Sequence, residues 1–345
     1  MVLHNRVNRK ELRERVKEEH LDRHVLSFYK YAQIKDPAGF RDELYLKWND
    51  MGVLGRTYVA SEGINAQISV PEIRWNEFRA HLETIPFLKG IRLNIAIEED
   101  PTSFFKLAVK LRHKIVADGL DDETFNPSNT GVHLDAPTFN DLTERDDTIV
   151  IDMRNHYESE VGHFENAITP DVDTFREALV KVEEVLEGQQ DKHIVMYCTG
   201  GIRCEKASAY YKHKGFRNVY QLNGGIIEYA RKANELGIEN KFHGKNFVFD
   251  ERLGERISEE VISVCHQCGK PADSHTNCKN DGCHLLFIQC EECAQKYEGC
   301  CSQECTDIIH LPEEEQKKLR KGIDKGRQVF KKGRSNKLPF MKKAE

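Results

Sequence analysis

The first hundred residues carry strand-like and helix-like patterns of hydrophobic positions in turn. Alternation with a period of two predicts strands, and apolar residues three and four apart predict helices. The pattern predicts a strand at 24–34, a helix at 36–52, two strands at 56–70, a helix at 71–85 and a strand at 90–99. This βαββαβ order predicts a ferredoxin-like domain, in which an antiparallel sheet carries two helices on one face. We place this domain at 23–122, after a charged helical leader at 1–22.

The pattern changes between residues 123 and 240, where short apolar runs alternate with amphipathic segments. These predict buried strands at 146–154, 193–197 and 218–222, and helices at 173–188, 203–213 and 226–237. Strands and helices in alternation predict a parallel sheet with crossover helices. Residues 100–132 are interpreted as a connector that leads into this domain, and residues 241–258 as a link that follows it.

Cysteine is concentrated at 241–310, where nine of the eleven cysteines lie between Cys265 and Cys305. Cysteine pairs at short spacing can bind tetrahedral zinc, and a full thiolate set leaves no open position for catalysis. We expect two structural zinc ions held by Cys265, Cys268, Cys278, Cys283, Cys290, Cys293, Cys301 and Cys305. The pairing stays open; a cross-brace arrangement would join 265/268 with 290/293 and 278/283 with 301/305. Several alternatives stay open: substitution by Cys300, His266, His275 or His284, an iron–sulfur cluster, and reduced cysteines without a metal.

Composition predicts a soluble protein, and the charge distribution suggests one candidate partner. Of the 345 residues, 39% are hydrophobic and 31% are charged, a composition that predicts several modest cores. The net charge is −6. No apolar run reaches the roughly 20 residues that span a bilayer, and the first twenty residues show no signal-peptide core, so we expect a cytoplasmic protein. The tail at 311–345 is basic between Lys317 and Lys343, which suits RNA or, alternatively, a solvated tail.

One cysteine stands apart at the turn between the predicted strand at 193–197 and the next helix. The turn consists of Cys198, Thr199, Gly200, Gly201, Ile202 and Arg203. Its glycines let backbone N–H groups point inward, and these groups, the helix N-terminus and the arginine all favour negative charge on sulfur. The pattern therefore predicts a reactive thiolate at Cys198, against the alternative of a buried structural cysteine.

The domain at 123–240 resembles a rhodanese domain. The resemblance is carried by Asp152, Arg154, Glu158, Gly162, His163, the loop 198–203 and the stretch 222–225. In the rhodanese superfamily, four residues between the loop cysteine and arginine resemble the sulfur-handling members, whereas five resemble the related phosphatases. Four residues separate Cys198 from Arg203, so the resemblance implies sulfur chemistry.

The whole chain resembles the bacterial tRNA uridine(34) 5-hydroxylase family of rhodanese-related proteins. The stretch 195–210 and the cluster 265–305 carry this resemblance, with support from the N-terminal domain. It implies an α/β multidomain chain: a ferredoxin-like α+β domain, an α/β rhodanese domain and a cysteine-rich zinc module. It also implies oxygen-dependent hydroxylation of the wobble uridine 34, in the tRNA anticodon loop, to 5-hydroxyuridine. Molecular oxygen is then a co-substrate, while the electron donor and the oligomeric state stay open.

A few residues would carry this chemistry. We expect Cys198 to add to C6 of uridine, or to carry the reacting atom as a persulfide or peroxide. Arg203 would close the loop and stabilise anionic sulfur, or form only a salt bridge at the helix start. Cys204 would resolve an oxidised sulfur, or merely pack as a small residue. Asp152 and Arg154 would brace the loop.

Two other functions fit parts of the sequence. A sulfurtransferase would carry sulfur as a persulfide on Cys198, and the loop by itself favours that function. A non-catalytic protein that binds zinc and RNA is a third hypothesis, which the intact loop argues against. The histidines His156 and His163 are interpreted as hydrogen-bonding residues, because no facial triad of two histidines and a carboxylate is evident.

Overall fold

The computed structural model describes residues 7, 9–19, 21–120, 125–322 and 334–340. The N-terminal region contains the helices α1 (Arg9–Glu19), α2 (Pro37–Asp50) and α3 (Trp75–Thr84) and the strands β1 (Arg23–Tyr31), β2 (Leu54–Ala60), β3 (Gly63–Pro71), β4 (Asn94–Ile95) and β5 (Leu107–Leu111). The strands form one sheet in the order β4-β1-β3-β2-β5. Its core includes Phe28, Trp48 and Phe78, all fully buried.

The N-terminal sheet differs from the prediction at its two edges. The predicted strand at 90–99 is reduced to β4, and the predicted connector contributes β5, which pairs in parallel with β2. Leu107 and Val109 alternate inward on β5, and the charged residues around them conceal this short alternation in the sequence. The predicted helical leader contains α1, whose Leu12 and Val16 pack with Phe105.

The middle region is the predicted parallel α/β domain. Its strands are β6 (Val132–Leu134), β7 (Thr148–Asp152), β8 (Gly162–Phe164), β9 (His193–Tyr197) and β10 (Val219–Leu222), and its helices are α4 (Ala136–Thr143), α5 (His156–Ser159), α6 (Phe175–Val185), α7 (Ile202–His213) and α8 (Gly225–Leu236). Four of the strands form a parallel sheet in the order β6-β10-β9-β7, which confirms the prediction. The carboxyl ends of β9 and β10 therefore lie side by side, and the loop of Cys198 leaves one of them.

The segment predicted as a link at 241–258 belongs to the fold. It contains β11 (Phe242–Asn246) and β12 (Glu255–Arg256), and β11 pairs antiparallel with β8. Phe242, Gly244 and Asn246 alternate inward on β11, a pattern too short to be recognised without its partner strand.

The cysteine-rich region forms a small module that follows β12 in the chain. It contains β13 (His275–Asn277), β14 (Leu286–Ile288), α9 (Glu291–Lys296), α10 (Gln303–Ile309) and α11 (Glu313–Arg320). Phe287 and Leu338 are buried in its core, so part of the predicted basic tail packs on the module. Residues 323–333 and 341–345 of that tail lie outside the described residues. Within the described part of the chain, no helix combines the length and apolarity that crossing a membrane requires.

Candidate active site

The Cys198 loop surrounds its sulfur with backbone N–H groups. The backbone N–H of Gly201 donates to Sγ of Cys198 at 3.2 Å, and the N–H groups of Arg203 and Cys204 also point to this sulfur. Gly201 has φ +100°, a left-handed conformation that favours glycine and turns the chain into α7. N–H groups arranged in this way at the start of a helix favour negative charge on the sulfur.

The environment of Cys198 favours the thiolate. Complete burial raises the pKa of this thiol. Three effects outweigh burial and lower the pKa to about 6: a hydrogen bond from the Cys204 thiol, the positive charge of Arg203, and the backbone N–H groups. A pKa near 6 means that the sulfur is mostly ionised at neutral pH. Only an ionised sulfur is a strong nucleophile.

Cys204 lies next to Cys198 and keeps its proton. Burial and the adjacent sulfur of Cys198 raise the pKa of Cys204 well above its ordinary value. Both side chains are fully buried in the same core cluster. The structure therefore places the two thiols together, with Cys204 as the donor of a hydrogen bond.

Arg203 is fixed by a buried carboxylate. Its two terminal nitrogens donate to the two oxygens of Glu158 at 2.7 and 2.8 Å, and one of them lies 3.4 Å from Oγ1 of Thr199. Burial raises the pKa of Glu158, but the charge and hydrogen bonds of Arg203 outweigh burial and lower it. Arg203 thus forms the predicted salt bridge and also keeps its charge near Cys198.

Asp152 and Arg154 form a fully buried ion pair at the end of β7. Arg154 donates to Asp152 at 2.6 Å and to the carbonyl of Gly162 at 2.6 Å, which ties β7 to β8. Asp152 is also paired with Tyr197, the residue before Cys198, across the sheet. These contacts act on the strands that carry the loop rather than on the loop itself.

The N-terminus of α8 holds the outer side of the loop. The N–H of Ile226 donates to the carbonyl of Cys198 at 3.1 Å, and the N–H of Ile227 donates to the carbonyl of Thr199 at 3.3 Å. Gly225 has φ +67°, and a Cβ there would lie 2.5 Å from the carbonyl oxygen of Cys198. The glycine lets the two turns approach each other.

The N-terminal sheet covers the loop from the opposite side. Tyr29 Oη donates to Glu205 at 3.0 Å, Tyr31 Oη donates to the carbonyl of Ile202 at 3.3 Å, and Asn94 Nδ2 donates to the carbonyl of Gly200 at 3.4 Å. These contacts, together with the loop itself, leave Cys198 without exposed surface.

Two charged clusters on α7 strengthen this contact between domains. Lys206 is 1% exposed and forms ion pairs with Glu62, at 2.8 Å, and with Asp118. Its neighbour Glu205 accepts hydrogen bonds from Tyr29, His133 and Gln221. The residues that follow the loop are therefore fixed by the N-terminal domain and by the segment that connects it to the rhodanese domain.

The cysteine-rich module brings its thiols together in two groups of four. One group is Cys265, Cys268, Cys290 and Cys293, and the other is Cys278, Cys283, Cys301 and Cys305. The sulfurs of each group lie within 4.8 Å of one another, and two of the separations are 3.6 Å. Four thiolates about 2.3 Å from a tetrahedral zinc ion would lie roughly 3.8 Å apart, so the donor set fits zinc. Cys300 belongs to neither group.

Three histidines that the sequence offered as candidate ligands, His266, His156 and His163, have other contacts. His266 Nε2 lies 2.9 Å from Glu160, which connects the module to the rhodanese domain. His156 and His163 each place Nδ1 3.1 Å from a backbone carbonyl oxygen. This agrees with their interpretation as hydrogen-bonding residues.

Comparison with known proteins identifies the family. The family profile described as "UPF0176 acylphosphatase like domain" matches residues 23–115, "Rhodanese-like domain" matches 135–232, and "Rhodanase C-terminal" matches 243–306. Proteins named "tRNA uridine(34) hydroxylase" from Photorhabdus laumondii and Pectobacterium carotovorum are each 58% identical over 334 residues, which is 96% of this chain and 95% and 94% of theirs. A protein of the same name from Yersinia pestis is 57% identical over 96% of this chain and 94% of its own length.

This chain belongs to the tRNA uridine(34) hydroxylase family.

Sequence reasoning missed the part of this hydroxylase-family site that comes from the N-terminal domain. Tyr29, Tyr31 and Asn94 are about one hundred or more residues away from the loop that they contact. A signal was present on β1, where Ser27, Tyr29 and Tyr31 share one face and give it an aromatic and polar character. Whether this face of β1 belongs to a site depends on which domain packs against it, and the periodicity of a single strand does not show that.

Proposed function

We propose that this protein hydroxylates C5 of the wobble uridine in tRNA and that Cys198 activates the base. The observation that carries this proposal is the thiolate loop, in which Cys198 has a pKa of about 6, in a chain that is 58% identical to tRNA uridine(34) hydroxylases. The substrate is the anticodon loop, where bases are unpaired and accessible to enzymes.

The chemistry begins at C6 of uracil, which is electrophilic because it is conjugated to the C4 carbonyl. Because Cys198 has no exposed surface without substrate, binding of the base must displace the contacts of the N-terminal sheet with the loop. The thiolate of Cys198 then forms a bond to C6, and the electron pair of the C5–C6 double bond moves to C5 and the C4 oxygen. C5 then takes one oxygen atom from the oxidant. Loss of the C5 proton and of the sulfur from C6 restores the double bond and gives 5-hydroxyuridine.

The electron balance defines what else the reaction needs. With molecular oxygen as co-substrate, one oxygen atom enters the base and the other leaves as water, which takes two electrons and two protons from a donor. A peroxide would supply the oxygen atom without a further donor. Arg203 serves both routes, because its charge stabilises the free thiolate before attack and after release.

The two cysteine groups hold structural zinc in this proposal. Each group supplies four sulfur ligands, so neither leaves a position for substrate or water. The ions would stabilise the module, and the module packs against the rhodanese domain through His266 and Glu160.

Sulfur transfer is the competing function. The spacing of four residues between Cys198 and Arg203 favours it, because this spacing resembles that of sulfur-handling rhodaneses. The two functions differ in their product, since a sulfurtransferase yields a thiolated acceptor and leaves C5 of uridine unchanged.

Nucleoside mass spectrometry of total tRNA tests the proposal in cells that lack the protein. The cells are complemented with the wild type, with Cys198→Ala, or with Cys300→Ala as a control for replacement of a buried cysteine outside both groups. We expect 5-hydroxyuridine and its derivatives to return with the wild type and the control but not with Cys198→Ala. If their level never depends on the protein, the proposal fails and sulfur transfer becomes the better explanation of the loop.

A further inference from the structure

Asn94 is a buried carboxamide beside the Cys198 loop with an unused acceptor. The residue is 3% exposed, and its Oδ1 has no hydrogen-bond partner among the residues that the structure describes. Its Nδ2 has only the carbonyl of Gly200, at 3.4 Å, which is longer than an ordinary N–H···O bond. Burial of an unsatisfied acceptor destabilises a fold, so a ligand that donates to it would be stabilised here.

The side chain lies against the loop at Gly200. Asn94 is paired with Ser27 across β1 and β4. A Cβ built on Gly200 would lie 3.4 Å from Nδ2 of Asn94 and 3.8 Å from Oγ of Ser27. Gly200 is two residues from Cys198, so the N-terminal sheet presents polar groups to the loop.

A carboxamide is complementary to one edge of uracil. It presents one acceptor and one donor side by side, and the Watson–Crick edge of uracil presents the N3–H donor beside the O4 acceptor. Cytosine has the opposite pattern, with N3 as acceptor beside an amino donor. Proteins that recognise unpaired RNA bases commonly bind this edge.

We infer that Asn94 recognises the Watson–Crick edge of the target uracil, with Oδ1 accepting from N3–H and Nδ2 donating to O4. This inference rests on the proposed function. Binding exchanges the long contact with Gly200 for two contacts with the base, and it satisfies the buried acceptor. Because C6 lies across the ring from N3, these contacts leave the C5–C6 bond free for attack by the thiolate.

Replacement of the carboxamide separates base recognition from a merely structural role. The substrates are two anticodon stem-loop RNAs that differ only in having uridine or cytidine at position 34, and the readout is the 5-hydroxylated nucleoside measured by mass spectrometry. We expect Asn94→Asp to lower kcat/KM on the uridine RNA by roughly 10–100-fold, as loss of base-edge hydrogen bonds does. The kcat/KM on the cytidine RNA should fall less or rise, because a carboxylate accepts from the amino group of cytosine. The preference for uridine, which is the ratio of the two kcat/KM values, therefore falls.

The matched control is Asn246→Asp. Asn246 is also a buried carboxamide, with both polar atoms unpartnered among the described residues, and it lies on β11. This variant introduces the same buried acid, and we expect it to keep the wild-type preference for uridine. An unchanged preference in Asn94→Asp would overturn the inference.

A substrate change tests base recognition without altering the protein. An RNA with 3-methyluridine at position 34 lacks the N3–H donor, and the wild type should not hydroxylate it. Equal rates on methylated and ordinary uridine would also overturn the inference, even if the Asn94 variant does not fold. If the wild type fails to hydroxylate ordinary uridine 34 at all, it is the proposed function that fails.

Discussion

At the scale of single residues, the charge on Cys198 results from several small contributions that together exceed the cost of burial. Burial alone would keep the thiol protonated, whereas the Cys204 thiol, Arg203 and backbone N–H groups favour the anion. Arg203 remains in place because Glu158 binds it through both oxygens. The reactivity of Cys198 therefore belongs to the loop and not to the cysteine by itself.

Replacement of Cys204 tests that contribution. In Cys204→Ala the hydrogen bond to the thiolate is lost, so the pKa of Cys198 rises and the nucleophile is protonated at a higher pH. The acid side of the pH–rate profile for hydroxylation should move upward by roughly one unit, the usual effect of one hydrogen bond to an anion.

Cys204→Ser is the matched variant, because its hydroxyl can still donate. Its profile should stay close to that of the wild type. Identical profiles for the alanine and serine variants would contradict the role of Cys204 as a hydrogen-bond donor and leave it as a packed small residue.

At the scale of elements, the loop is held by the approach of two strand-to-helix turns. The start of α8 donates two backbone hydrogen bonds to the carbonyls of the Cys198 loop. This approach requires glycine at 225, because φ is positive and a Cβ would meet the backbone of Cys198, Thr199 and Gly200 within 2.8 Å.

Gly225→Ala should therefore abolish most of the hydroxylation, because the turns must separate and the N–H groups leave the loop. Gly188→Ala is the control, since Gly188 has a similar φ of +76° but no atom within 4 Å of its Cβ position. Both variants carry the left-handed strain of about 1–2 kcal/mol, which urea unfolding would measure. Equal activities in the two variants would contradict the claim that a Cβ at position 225 pushes the Cys198 loop away.

The elements also show what could be predicted from the sequence. The strands at the centre of the parallel sheet were predictable because each is a continuous apolar run, such as residues 193–197. The edge strand β5 and the strand β11, which is central in its own sheet, were missed because five residues of alternation among charged neighbours resemble a connector. The loop residues were predictable because their spacing is local, whereas Asn94 and Tyr29 reach the site only through packing between domains.

At the scale of the whole molecule, two other regions pack on the rhodanese domain. The N-terminal sheet covers the Cys198 loop. The cysteine-rich module contacts the domain through His266, which pairs with Glu160, and the tail contacts it through Arg334, which pairs with Asp171.

Metal analysis tests the architecture of the module. The purified protein should contain two equivalents of zinc, one for each group of four cysteines. Cys265→Ser and Cys278→Ser should each lose about one equivalent and lower the melting temperature, because the metal contributes folding energy directly. Cys300→Ser should retain both, since Cys300 lies outside the two groups. Iron in place of zinc, or no bound metal, would contradict the prediction.

The most direct test of Cys198-dependent hydroxylation uses isotopically labelled oxygen and purified components. Unmodified anticodon stem-loop RNA is incubated with wild-type protein and a thiol reductant under 18O2, and the nucleosides are analysed by mass spectrometry. The proposal predicts 5-hydroxyuridine that carries one heavy oxygen atom at position 34, and no such product from Cys198→Ala. Formation of the labelled product by Cys198→Ala at the wild-type rate would contradict it.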